Sequence, residues 1–142
     1  MSFMKALSVV ASLLILAGCH RQPEGLGYQG CEAAGAVTLD GKPLACGMVT
    51  FVPEIPESAG GHPGIASIDG GRYRLGNAES GRAKPLRPGE YIVTIVAMDV
   101  DRTHGKPAPK LIVPDRYADA AKTPLRVTLA PGDNKVDLTM IR

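Results

Sequence analysis

In stretch after stretch beyond residue 35 apolar residues recur at every second position, and no stretch shows a convincing period of 3.6. Alternation of this kind sends one face of a segment into a core and the other into water, which commits the chain to β-strands. In "GAVTLDGKPL", Val37 and Leu39 share a face and Asp40-Gly41 follows as a turn pair. In "GMVTFVPE", Val49 and Phe51 share a face, and Pro53 closes the strand because it has no ladder donor. The glycine- and proline-rich "IPESAGGHPG" reads as a loop.

"IASIDGGRYRL" predicts a hairpin with strand residues from Ile65 to Ile68. Asp69-Gly70-Gly71 would supply the positive φ angles, with Tyr73 and Leu75 pointing inward and Arg72 and Arg74 outward. "EYIVTIVAM", residues 90–98, is apolar on both faces and belongs in the middle of a sheet. "LRVTLAPGDNKVDLTMI" predicts two strands about a Pro131-Gly132-Asp133-Asn134 turn, with Val127 and Leu129 facing Val136, Leu138 and Met140. Seven short strands within about 110 residues favour an all-β, two-sheet sandwich. Residues 99–124 break the rhythm and predict a long loop on that scaffold, with a helical turn at Asp115 to Ala121 and Tyr117 tucked against the sheets.

The N-terminus carries another kind of information. Residues 6–17 are apolar except for Ser8 and Ser12, a run of twelve. A spanning helix needs about 20, so the run fits the core of a secretory signal. It ends in Leu16-Ala17-Gly18-Cys19, which resembles the lipobox of bacterial lipoproteins. That resemblance implies diacylglycerol on the Cys19 sulfur, cleavage before Cys19 and acylation of the new amine. It also implies an extracytoplasmic location, and His20, standing where inner-membrane retention often uses Asp, favours a periplasm-facing position on an outer membrane. Residues 1–18 are then the signal peptide, 19–30 a lipidated N-terminus and flexible tether, and 31–142 the domain.

Removing the signal leaves 124 residues, suited to a single core, with 15 basic side chains against 14 acidic once Lys5 is gone. That balance excludes an ordinary nucleic-acid partner, whose affinity rests on neutralised phosphates. With Cys19 assigned to lipid, Cys31 and Cys46 remain as a candidate disulfide in an exported chain, or as free thiols; zinc needs more ligands than this pair supplies.

Together, "GAVTLDGKPL", "VTFVPE", "IDGGRYRL", "RPGEYIVTI" and "VPDRYADAAKTPLRVTLAPGDNKVDL" resemble small lipoproteins of planctomycete-type bacteria. In these the exported part is a carboxypeptidase-regulatory-like or transthyretin-like domain. The resemblance spans residues 35–138. It implies a seven-stranded Greek-key sandwich, normally non-catalytic, with no cofactor. Cys46-Gly47 departs from the small pair usual in that family.

Catalytic chemistry finds little footing. His20 lies in the tether and His62 in a loop before Pro63, where a solvated side chain is expected. Asp99, Asp101 and His104 could ligate a divalent cation, although Arg102 intervenes and no calcium-loop spacing appears. Intradiol dioxygenases, on a related sandwich, need a His-x-His pair that this sequence lacks. There is no tryptophan for sugar stacking. Arg72, Arg74, Arg82, Lys84 and Arg87 form a basic group for which a solvated outer face is the default and an anionic surface the sharper reading. The expectation is a lipid-anchored interaction or structural module with an envelope protein or polymer as partner. The competing expectation is a ligand- or metal-binding module using residues 99–104.

Overall fold

The structure, a computed structural model, describes residues 29–76, 85–101 and 108–142, and it is all-β. Eleven strand segments occur among these residues, where the alternation predicts seven. They are β1 (Cys31–Leu39), β2 (Lys42–Pro43), β3 (Cys46–Pro53), β4 (Gly64–Asp69), β5 (Arg72–Leu75), β6 (Gly89–Val96), β7 (Met98–Asp101), β8 (Ala108–Leu111), β9 (Arg126–Leu129), β10 (Gly132–Lys135) and β11 (Leu138–Met140). The main sheet runs β10-β1-β5-β4-β3-β6-β9, with β2 and β11 also pairing with β1.

This sheet is curled. Laid flat, seven strands about 4.8 Å apart would put the first and last about 29 Å from each other. Yet β9 and β10, the two ends of the path, are joined through Ala130 and Pro131 alone, a reach of about 11 Å. The ends therefore approach each other around the core.

Two hairpins follow the predicted turn chemistry. Asp40 and Gly41 have φ of 51° and 77°, and Gly70 and Gly71 of 56° and 76°. Two consecutive positive φ angles make the tight turn whose twist matches that of the flanking strands. The faces also fall as the alternation predicts: Val37, Leu39, Val49, Phe51, Tyr73 and Leu75 are buried, and Arg72 and Arg74 are exposed. Ile65 lies on the outer face of its hairpin, 60% exposed. The 90–98 segment sits between β3 and β9, with Tyr91, Val93 and Ile95 buried.

Phe51 centres the core, 5.9 Å from the Tyr73 ring and 6.2 Å from that of Tyr91. Burying tyrosine requires an acceptor for its hydroxyl. Tyr73 donates to the Val136 carbonyl at 2.8 Å and Tyr91 to that of Arg87 at 2.8 Å. Thr123 is held likewise by the Val93 carbonyl at 2.8 Å.

Two segments depart from the sequence expectation. The C-terminal strands do not form a hairpin: β9 pairs antiparallel with β6, whereas β10 and β11 both run parallel to β1. The residues expected to turn, Gly132 to Asn134, are themselves in β10. The corner is fixed by Asn134. Its Oδ1 accepts the Ala130 N–H at 3.0 Å, and its Nδ2 donates to the carbonyls of Ala130 at 2.8 Å and Glu32 at 3.0 Å. A side chain that satisfies both backbone groups of Ala130 leaves that residue no need of a hairpin partner.

Residues 99–124 are not simply a loop either. Met98–Asp101 and Ala108–Leu111 pair as an antiparallel ribbon, followed by a single helical turn at Asp115–Ala118. Tyr117 is buried as expected, accepting the Ile141 N–H at 3.0 Å, with the Arg116 guanidinium 4.8 Å from its ring centroid.

Candidate functional site

The strand that carries most of the architecture also carries the site. One side of β1 enters the core through Cys31, Ala33, Val37 and Leu39. The other side, with β5 and β10 as neighbours, forms a groove of about 410 Å³. Its floor is made of Ala34, Gly35 and Ala36, so no side chain fills the space between the flanking strands.

Register orders the charges on this floor. Ala34 pairs with Arg74 on one side and Lys135 on the other, so a cation stands at each flank of its methyl group. Two residues back along β1, Glu32 pairs with Asp133, giving an acidic row beside the basic one. Two residues forward, Ala36 pairs with Arg72, and its N–H donates to Oδ1 of Asp137 at 2.9 Å. Arg74 approaches Glu32 at 3.8 Å and Lys135 approaches Asp137 at 3.9 Å. Pairs this long and this exposed contribute ~0–1 kcal/mol each, so the charges remain available to other partners. The side chains of Arg72 and Asp133 make no ion pair among the described residues.

The groove depends on a break in the parallel ladder. Cys31 pairs with Gly132 and Val37 with Leu138, one constant offset, so β10 and β11 are a single strand interrupted at Val136-Asp137. At the interruption the Asp137 carboxylate takes the Ala36 N–H, and the Val136 carbonyl receives the Tyr73 hydroxyl. Gly35 makes this possible, because a Cβ there would overlap the Val136 carbonyl oxygen. Burial, and after it the negative charge of Asp137, raises the Tyr73 phenol above its ordinary pKa, so it stays a donor.

A second cleft, of about 290 Å³, lies between Pro53–Ile55 and Pro88–Tyr91. Its Glu54 is already engaged by Arg126 at 2.6 Å, which leaves the cleft less free charge than the β10-β1-β5 groove.

The residues singled out in the sequence do not meet in one site among the described residues. Cys19 and the signal lie outside the described residues, as do Arg82, Lys84 and His104. Asp99 is exposed on β7 and Asp101 ends that strand. Among the described residues no three potential ligands form a metal-binding group. Cys31 and Cys46 are free thiols, one buried and one exposed. The candidate bridge is not formed, because register runs from Cys46 through Asp69 and Arg72 to Ala36, across four strands and five residues along β1 from Cys31. That exceeds the ~7 Å Cα limit for a disulfide. Burial raises the Cys31 thiol pKa, which disfavours its reactive form.

Of the basic group, Arg72 and Arg74 line the groove, whereas Arg87 turns away and donates to the Ala59 carbonyl at 2.6 Å. His62, expected to be solvated, is half-buried and engaged. Glu32, Ala34, Asp133 and Lys135 carry no recognisable motif in the sequence. The alternation of charge in "GDNK" was the available signal, but its pairing with β1, about a hundred residues away, was not.

Comparison with known proteins identifies no relative: no family model, no curated protein and no solved structure matches this chain.

Proposed function

We propose that this chain is an exported lipoprotein, anchored through acyl chains on Cys19, whose domain is a non-catalytic interaction module of the cell envelope. On this reading the domain is a Greek-key sandwich of the carboxypeptidase-regulatory-like or transthyretin-like kind. It faces the periplasm from an outer membrane and engages an envelope protein or polymer. The observation that carries the reading is Leu16-Ala17-Gly18-Cys19 at the end of a twelve-residue apolar run, too short to span a bilayer. One acyl chain gives weak binding, at about 0.8 kcal/mol per buried methylene, and two or three hold firmly. The tether suits the anchor. Gly30, whose carbonyl accepts the Gly132 N–H at 3.0 Å, stands eleven positions after Cys19, so the domain stays within about 40 Å of the bilayer.

The sandwich is supported by the curl of the sheet and by β1, which pairs with β5 and β10 over its first half and with β2 and β11 over its second. Strands that change partners at an interruption form the corners of sandwiches.

Mass spectrometry of the membrane-extracted protein tests the reading. The expected product begins at Cys19 and carries acyl mass, and Cys19→Ser yields an unacylated precursor that keeps residues 1–18. A wild-type product that is soluble without detergent and bears an unmodified Cys19 overturns the proposal.

A further inference from the structure

The groove on the outer face of β10, β1 and β5 has an ordered charge pattern that selects a ligand. Its cations are not scattered: Arg74 and Lys135 flank Ala34 on neighbouring strands, about 10 Å apart across the sheet at the Cα level. Side chains of that length can reach a group seated over the alanine, Arg74 from its contact with Glu32 and Lys135 from its contact with Asp137, and Arg72 adds a third cation on the same wall. The adjacent row is acidic, with Glu32 and Asp133 side by side. The two rows are two residues apart along β1, about 6.6 Å. Such a floor rejects a simple polyanion, which would meet Glu32 and Asp133, and rejects a polycation for the opposite reason. It fits a ligand with a negative group and a positive group separated by roughly the row spacing.

Two extended amino-acid residues span about 7 Å, so a free dipeptide places its ammonium and carboxylate at that separation, whereas a single amino acid places them far closer. We propose that the groove binds short zwitterionic peptides. The carboxylate lies between Arg74 and Lys135, with Arg72 beside it, and the ammonium lies against Glu32 and Asp133. The Ala34-Gly35-Ala36 floor lets the ligand backbone lie close to the sheet, and the volume of about 410 Å³ falls in the range of small-ligand clefts, ~300–1,000 Å³. Arginine suits the carboxylate because its planar fork donates two parallel hydrogen bonds. This deepens the reading of the domain as an interaction module by naming the chemistry of its ligand.

The test is a titration of the detergent-solubilised full chain with glycylglycine, followed by the backbone amide shifts of Ala34 and Ala36 at low and high salt. Saturable shifts at those amides at millimolar ligand, weakened by salt, are the expected result. N-acetylglycylglycine, which lacks the ammonium, and glycylglycinamide, which lacks the carboxylate, should each bind about tenfold more weakly. Arg74→Gln should lose the preference for the free carboxylate and Asp133→Asn the preference for the free amine, both at unchanged melting temperature. Three results overturn the proposal: no shift at Ala34 and Ala36, equal binding of the blocked peptides, or equal binding of free glycine. The Cys19→Ser chain carries the same groove, so failure of peptide binding and failure of anchoring are separate outcomes.

Discussion

The two faces of β1 are made from alternate residues of one strand and obey different rules. Inward, Cys31, Ala33, Val37 and Leu39 are buried, and they meet Leu75, Tyr73, Leu138 and Met140 in a core that leaves no buried side-chain polar atom unpartnered among the described residues. Outward, Glu32, Ala34 and Ala36 are half-buried, and their neighbours are arginine, aspartate and lysine. The inner face is governed by volume, because close-packed interiors feel the loss or gain of a single methylene. The outer face is governed by the order of charges, which fixes little stability and leaves free energy for recognition. One strand thus serves as structural centre and as the proposed binding platform, and substitutions should separate the two roles.

The largest effect belongs to the inner face. Phe51→Ala removes the ring that Tyr73 and Tyr91 pack against, and should cost ~3–5 kcal/mol in urea unfolding. If it costs under about 1 kcal/mol, the core is not organised around this residue. Next comes Gly35→Ala, at the ladder interruption between the two faces. The added methyl group meets the Val136 carbonyl, which is backbone and cannot rotate away, so a loss of about 1–3 kcal/mol is expected. A neutral outcome would mean that β10 and β11 can shift away from β1, and the groove would then lack a fixed wall.

The inner face was readable in the sequence and the outer face was not, for a physical reason. Alternation at Val37, Leu39, Val49 and Phe51, with Asp40-Gly41 and Asp69-Gly70-Gly71 between strands, encodes local pairing, since a two-residue turn fixes which residues lie opposite. The groove is built from residues 32–36, 72–74 and 133–137, brought together by the antiparallel pairing of β1 with β5 and its parallel pairing with β10, neither of which a tight turn specifies. Pro131-Gly132-Asp133-Asn134 has turn composition, and only the Asn134 contacts with Ala130 and Glu32 make it a corner leading to a strand. The ribbon within residues 99–124 is hidden for a similar reason, because "PAPKL" carries prolines that argue against strands, although an edge ribbon tolerates them.

The smallest effect tests the link between the faces. Tyr73 lies with its ring in the core, while its hydroxyl holds the Val136 carbonyl beside Asp137 at the groove. Tyr73→Phe keeps the ring and removes the donor, so a loss of about 1 kcal/mol is expected at neutral pH. Burial and the Asp137 charge favour the neutral phenol in the fold, so the folded pKa lies above the unfolded value of about 10. The contribution is then fully present below about pH 10 and is lost as pH rises toward the folded value, because the unfolded chain releases its proton first. The gap in unfolding free energy between wild type and Tyr73→Phe should accordingly narrow above about pH 10, as followed by denaturant titration across that range. A gap that stays constant or widens there would mean that Tyr73 ionises as easily in the fold as outside it. The hydroxyl would then not be sealed against Val136, and the two faces of β1 would be mechanically independent.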